Sequence, residues 1–376
     1  MKDKKIVIQF VHALTSGGAE TMVADYSVEL KKRGYDVRVV VIRSMPDMIN
    51  QKKLEEAGVP IISTLPDPKN IIDRGIQHFT QELRTYYFMK KYIKKVHPDV
   101  VHVHLKIARF LLGAKKELIN SKIVYTCHSD PKKNFLGASH ETRKDTKALK
   151  NLIQNNNVTI IALHKKMVED INQIFHIRNT IALNNPVNLK KFQNVRINRY
   201  EYRKQLGITE DAFIVGHIGR FTEAKNHKML VNIFSEVLKK EPKAFLLMIG
   251  NGELLSTIRQ QMEEKKMQGH YMILSEREDI PELLKIMDVF CFPSLWEGMP
   301  LVVLEAQAAG LKCVISDCIT PEVMVTSQIC SLPLESSAKD WADKLFENAG
   351  QKKTKNNLEA FDINTVMDRL EKIYEE

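Results

Sequence analysis

The sequence predicts an α/β protein built from two doubly wound domains. Three observations lead there. Short β-branched or apolar runs alternate with longer amphipathic stretches, the order that yields parallel sheets covered by helices on both faces. The alternation runs twice, interrupted near residues 184–207 by NNPVNLKKFQNVRINRYEYRKQLG, which is polar and turn-rich at its start. The 376 residues also fit two domains at roughly 100–200 residues apiece. Ligands of such domains bind at the carboxyl ends of the strands, so a pair facing across a cleft is expected to hold a ligand there.

In the first half the strand-like runs are residues 6–10, 37–42, 100–104, 123–126, 159–162 and 180–184, with helical patterns between most of them, as at 21–33 and 76–96. In the second half the runs are 213–218, 244–249, 271–274, 289–293 and 312–316, with helical patterns at 229–240, 254–266, 280–287 and 300–309. The basic start MKDKK followed by IVIQFVHAL has the outline of a short signal peptide. Gly17 and Gly18 follow with no small-residue cleavage site, so the run reads as a first strand. No apolar run reaches the ~18 residues a membrane helix needs. The expected division is a domain at 1–187, a linker at 188–207, a second domain at 208–355 and a last amphipathic helix at 356–376 that packs back on the first domain.

Hydrophobic residues at 44% and charged residues at 27% suffice for two cores without cross-links. Five cysteines, an odd number with no C-x-x-C pair, argue against a disulfide framework or a zinc site and for a reducing cytosol. The net charge of +10 is unevenly spread: residues 1–200 hold 35 Lys+Arg against 18 Asp+Glu, and the remainder 21 against 28. A basic half suits an anionic partner: membrane lipid, a phosphorylated acceptor or nucleic acid. Its cations are scattered over helices rather than gathered in an RNP-like or helix-turn-helix pattern, which argues against nucleic acid.

Residues 294–310, SLWEGMPLVVLEAQAAG, are the most informative stretch, with Glu297 and Glu305 eight positions apart. Pro300 suits the first turn of a helix. Glu305 then lies on the second turn and Glu297 in the loop before it. The amides of Gly298, Met299 and Leu301 form a helix start able to hold an anion, with a carboxylate on either side for sugar hydroxyls. By spacing alone the simpler reading is a solvated helix with one surface and one capping glutamate. Arg220 and Lys225 follow a Gly-rich strand end, where positive charge would stabilise a diphosphate leaving a sugar; taken alone they fit a solvated loop. Gly17 and Gly18 permit close backbone approach to a ligand, or make a plain strand–helix turn. His128 follows a strand ending at Cys127 and is expected to face the cleft. His102 and His104 alternate with valines, and at least one is expected to be structural.

The run VFCFPSLWEGMPLVVLEAQAAGLKCVISD resembles the E-x7-E signature of family 4 glycosyltransferases, and GHIGRFTEAKNHKMLVNIF is similar to that family's G-R-x-x-x-x-K-N block. FLLMIGNGE, LSEREDIPELLKIMDVFCFPS, HALTSGGAET, VHVH and TCHSD fall in the family's order, strongly over residues 213–318 and diffusely over 1–190. Two places depart from the pattern. Asn185 and Pro186 stand where the family's hinge has its glycine, and SDCITPEV lacks the Gly-Gly near Asp317 while keeping Glu322. The resemblance implies the GT-B fold, two Rossmann-like domains facing across a cleft. It implies a nucleotide-sugar donor, UDP by family weighting, retention of anomeric configuration, and no metal or other cofactor. Arg220 and Lys225 would grip the diphosphate and Glu305 the ribose hydroxyls. Arg277, beside Glu276, would lie near the base. Gly17, Gly18, Gly298, Met299, Pro300 and Leu301 would line the donor, and His128 and Glu297 would orient the sugar as catalytic groups. No Asp-x-Asp ends a strand at the expected cleft, in keeping with a cationic pair taking a metal's place.

The acceptor is expected on the basic N-terminal domain. Residues 86–95, YYFMKKYIKK, and 106–116, KIARFLLGAKK, interleave apolar residues with Lys and Arg as interfacial helices do. Each lysine near an anionic surface contributes roughly 1 kcal/mol. A lipid-linked saccharide at an anionic membrane, in cell-surface polysaccharide synthesis on the cytoplasmic side, is the leading reading. The plain alternative is that both segments are sheet-covering helices. The enzyme would then be soluble and act on a small metabolite, a sugar phosphate or a protein. A sugar-nucleotide epimerase can share the two-domain shape, but the Glu297, Glu305, Arg220 and Lys225 block favours transfer.

Overall fold

The computed structural model describes residues 4–66, 70–347 and 357–376. The chain folds as two compact units, Met1–Pro186 with Asn364–Glu376, and Val187–Ile363. The first holds seven strands: β1 (Ile6–Val11), β2 (Asp36–Val41), β3 (Ile61–Ser63), β4 (Val100–His104), β5 (Lys122–Thr126), β6 (Val158–Ala162) and β7 (Ile181–Ala182). The second holds six: β8 (Ile214–Ile218), β9 (Phe245–Ile249), β10 (Tyr271–Leu274), β11 (Val289–Phe292), β12 (Lys312–Ser316) and β13 (Ile329–Leu332). The orders are β3-β2-β1-β4-β5-β6-β7 and β10-β9-β8-β11-β12-β13, all parallel. Parallel strands covered on both faces read as unbroken apolar runs, and β4, β8 and β11 are buried along their whole length. Each order reverses beside its first strand, between β1 and β4 and between β8 and β11. Crevices for ligands open there, beyond the carboxyl ends.

Most expected helices are present with ends shifted by a few residues: Gly18–Lys32, Ile71–Val96, His227–Lys240, Leu255–Glu264, Ile280–Ile286 and Leu301–Ala308. β3 and β13 are not among the expected strands. They are edge strands of three and four residues, too short for a period to register. Residues 106–116 do not form an interfacial helix. They make the 3-10 turn Ala108–Ala114, with Ala108, Phe110, Leu111 and Ala114 buried, so their apolar side chains serve the core. Among the described residues no helix is long and apolar enough to cross a membrane.

The expected linker at 188–207 is instead part of the second unit, as the short helices Leu189–Gln193 and Arg199–Gln205. The second is pinned by Arg203, which is 3% exposed. Its Nε and Nη2 donate to the Ile286 carbonyl (3.1 and 2.7 Å) and its Nη1 to those of Glu210 and Ala212 (2.8 and 2.9 Å); Nη2 also reaches Asp288 Oδ2 (2.8 Å). Arg203→Ala is expected to destabilise the protein by about 3 kcal/mol, because the Glu210 and Ala212 carbonyls lose this donor while Ile286 O and the Asp288 carboxylate are left with Arg199 as their cationic partner. Urea unfolding would read this, and a change under about 0.5 kcal/mol, the usual range for surface substitutions, would contradict it.

The final helix, Ile363–Glu375, follows the turn Leu358–Phe361; Asn356, its expected start, lies outside the described residues. The two passages between units are tied by Val187 N donating to Phe361 O (2.8 Å) and Ile363 N to Val187 O (3.0 Å). Within the first unit Arg33 pairs with Asp368 and Glu371, both at 2.5 Å, and Arg369 Nη2 donates to Ala182 O at 2.7 Å.

Candidate active site

In the second unit three loops converge beyond the adjacent strands β9, β8 and β11. The first two lie backbone on backbone. Gly219 N donates to Ile249 O (2.9 Å), Phe221 N to Asn251 O (2.8 Å) and Leu254 N to Phe221 O (3.0 Å). Gly250 and Gly252 make that approach possible, with φ of +149° and +155°. A Cβ on them would stand 2.1 Å from Gly219 O and 2.5 Å from Phe221 O, so only glycine fits. Arg220 rides on this fixed backbone, exposed, and carries no ion pair among the described residues.

The third loop is clamped to the first. Asn226, in the left-handed region at φ +51°, opens the helix His227–Lys240, and its Nδ2 donates to Pro293 O (3.1 Å). Leu295 N donates to Ala224 O (2.8 Å). This brings Lys225 Nζ to 2.6 Å from Glu297 Oε1, with the side chains 18% and 12% exposed, and 4.8 Å from the Phe292 ring centroid. The ammonium has three N–H groups, so it can hold Glu297 and still donate to an incoming phosphate oxygen.

Two histidines lie under this cluster. Burial pushes His217 down to about 4, against its 2.9 Å hydrogen bond with Cys291 O and with the Lys225 charge adding to the shift. Burial, then His217 and Lys225, push His227 down to about 2, and its ring stacks on Phe221 with centroids 4.0 Å apart. Both are neutral near pH 7, so the positive charge belongs to Arg220 and Lys225. Pro300 is the N-cap of Leu301–Ala308, one residue earlier than the expected first-turn position. Gly298, Met299, Pro300 and Leu301 are buried at this start, and Glu305 is half-buried on the second turn. First-turn amides have no acceptor within their own helix.

Arg277 is on the loop after the edge strand β10. Its Nε and Nη2 donate to Asp279 Oδ1 and Oδ2 (2.7 and 2.5 Å), and the Tyr202 hydroxyl also donates to Asp279. Arg277, first, and then Tyr202 hold the Asp279 carboxyl below its ordinary range against the effect of burial.

In the first unit, Gly17 is the N-cap and Gly18 the first residue of Gly18–Lys32, just after β1. Asn50 Nδ2 steadies the turn by donating to Thr15 O (2.5 Å) and Thr21 Oγ1 (3.2 Å). His128 lies two residues beyond β5, half-buried, with Nε2 3.0 Å from His104 Nδ1. Burial pushes its pKa down to about 3. His102 and His104 are both fully buried.

Residues 16–191 match the family described as Glycosyltransferase Family 4, and residues 198–359 that described as Glycosyl transferases group 1. The chain belongs to glycosyltransferase family 4. This family 4 enzyme is 24% identical to the capsular polysaccharide biosynthesis glycosyltransferase CapH of Staphylococcus aureus, over 98% of each chain. It is 27% identical, over 63% of its length and 62% of the relative's, to the UDP-Gal:alpha-D-GlcNAc-diphosphoundecaprenol alpha-1,3-galactosyltransferase of Escherichia coli. The Anabaena HepE protein, solved with UDP and glucose, superposes with a TM-score of 0.75 at 15% identity over 98% of both chains; that likeness shows the GT-B fold.

Some residues that build the enzyme's second-unit cluster carry no role that the sequence predicts. Asn226, Phe292, Gly250 and Gly252 lie within the segments that resemble the family. Lys-Asn before an amphipathic run and Gly-x-Gly after a strand were the available signals, because each marks a backbone that must leave the ordinary φ range.

Proposed function

We propose that this family 4 enzyme moves a sugar from a UDP-sugar, with retention, onto a lipid-linked saccharide at the cytoplasmic face of the membrane, in cell-surface polysaccharide synthesis. The observation that carries the donor half is the Lys225–Glu297 pair, held 2.6 Å apart beside Arg220 and a helix start. Under this reading Arg220, Lys225 and the amides near Gly18 and Met299 stabilise the departing diphosphate. Glu305 holds the ribose, Arg277 lies near the base, and Glu297 and His128 orient the sugar. The bond from the anomeric carbon to the diphosphate breaks as the acceptor oxygen bonds to the same face. The acceptor proton passes to a diphosphate oxygen, and no protein nucleophile takes part. A glycosyl adduct trapped on Glu297 would refute this route. HepE's complex with UDP supports the choice of base.

Support for the acceptor half comes from the first unit and from the lipid diphosphate in the E. coli relative's name. Helix Ile71–Val96 exposes Phe79 at 87%, Leu83 at 63% and Tyr87 at 63%. That apolar row meets a cavity of about 780 Å³ whose lining includes Leu83, Tyr87, Phe110, Lys115, Lys147 and Lys150. The three lysines carry no ion pair among the described residues. An apolar row beside free cations suits an anionic lipid surface.

Calorimetry with UDP, GDP and ADP, without metal, tests the donor: UDP should bind best, and binding by none would sink the reading. Co-sedimentation with phosphatidylglycerol vesicles tests the membrane. The enzyme should pellet with them, less with phosphatidylcholine, and the Phe79→Ser/Tyr87→Ser variant should pellet several-fold less. Equal behaviour with both lipids would favour the soluble alternative.

A further inference from the structure

We propose that Gln9 and Tyr374 are positioning residues: through one proton-ordered chain of hydrogen bonds they hold His128 in its Nε2–H tautomer, leaving Nδ1 as the acceptor for a sugar hydroxyl. This rests on the reading of His128 as a group that touches the donor sugar.

The chain lies on one face of adjacent strands β1, β4 and β5. Gln9 stands opposite His102, and His104 opposite Thr126; residues two apart on a strand share a face. His128 Nε2 is 3.0 Å from His104 Nδ1, and His104 Nε2 is 2.7 Å from Gln9 Oε1. Gln9 Nε2 donates to the Tyr374 hydroxyl at 3.1 Å. That hydroxyl is 2.7 Å from His102 Nδ1, and His102 Nε2 is 2.7 Å from Thr126 Oγ1. Gln9, His102 and His104 are 0% exposed and Tyr374 4%.

The proton positions follow link by link. A neutral imidazole has one donor and one acceptor. His102 and His104 are neutral, because burial drives both well below the ordinary histidine range. Gln9 Oε1 only accepts, so His104 carries its proton on Nε2 and its Nδ1 is bare. His128 must therefore donate from Nε2. On the other side the Tyr374 oxygen accepts from Gln9, so its own proton goes to His102 Nδ1. His102 then donates from Nε2 to Thr126. Turning the Gln9 amide over would reverse every link and leave His128 Nε2 bare. What His128 offers a ligand is thus set by which way one amide faces, and the end of that amide away from His104 meets a hydroxyl 365 residues away. The C-terminal helix is more than a strap across the first unit; it closes the chain.

Removing the Tyr374 hydroxyl leaves Gln9 Nε2 without its acceptor and His102 Nδ1 without its donor, so the amide is free to turn. The test is a long-range proton–nitrogen NMR correlation on 15N-histidine-labelled full-length enzyme, with the His128 signals assigned from their loss in His128→Gln. The wild type should show His128 as Nε2–H at pH 7. Tyr374→Phe should move it toward Nδ1–H and lower the turnover of UDP-glucose to UDP about tenfold. Gln9→Glu is the second variant. Its carboxylate accepts from His104 Nε2 and from Tyr374 alike, so His128 should stay Nε2–H. A wild-type His128 in the Nδ1–H form, or a Tyr374→Phe spectrum unchanged at His128, would overturn the proposal. Full UDP-glucose turnover in His128→Gln would instead overturn the reading beneath it.

Discussion

Lys225→Ala is expected to lower turnover by roughly 10²–10³-fold, the loss that follows when one preorganised charge is taken from a departing anion. UDP affinity should fall with it. The same change acts on stability by a separate route. Glu297, 12% exposed, loses the cation that offsets its desolvation, and stranding a mostly buried carboxylate costs about 3 kcal/mol. The two effects can be pulled apart. Lys225→Ala/Glu297→Gln removes the stranded charge and should recover most of the lost Tm, while turnover stays as low as in Lys225→Ala. Arg220→Ala is the complementary case. Arg220 is exposed and carries no ion pair among the described residues, so Tm should hold while UDP affinity drops. Calorimetry with UDP, thermal unfolding and UDP-glucose hydrolysis on the four proteins check this. Near-normal UDP affinity and turnover in Lys225→Ala would remove Lys225 from the donor site. Turnover regained in the double variant would mean that the ion pair is structural.

The second unit is the more legible half because its motifs mark the loops at its strand ends. FLLMI and VFCF are unbroken apolar runs with the site residues on the loops just beyond them. What escaped reading was set by contacts remote in sequence. The 188–207 stretch looks like a linker because it is polar, yet its Arg203 is held inside by Ile286 O and Asp288, 83 and 85 residues further on; nothing in the stretch itself marks an arginine as interior. Residues 106–116 carry Phe110, Leu111 and Leu112 between cations, as an interfacial helix would. Gly113 sits so near Tyr86 that a Cβ there would be 2.7 Å from the ring, and the segment turns inward as a 3-10 element. His102 and His104 could be recognised as sharing a face, but their partner Tyr374 follows an entire second unit.

Gly250→Ala should damage the proposed donor site without touching a single side chain in it. The added Cβ would stand 2.1 Å from the Gly219 carbonyl oxygen. That atom is backbone, so no rotamer change relieves the clash. The φ of +149° adds about 1–3 kcal/mol of strain for any residue but glycine. Relief requires moving residues 219–221, the segment that presents Arg220 and leads into Lys225. UDP affinity should therefore fall by at least about tenfold, with Tm lower by roughly 5 °C or more. Gly269→Ala separates the two causes. Gly269 also has a positive φ, +81°, but a Cβ there meets nothing within 4 Å, and it precedes β10 rather than following a central strand. It should lose about 1 kcal/mol from strain alone and bind UDP as the wild type does. If Gly250→Ala instead matches Gly269→Ala in both readouts, the backbone contact between the two loops does not position the cations. Only a loss of UDP binding confined to Gly250→Ala ties the site to the close approach of the loops after β8 and β9.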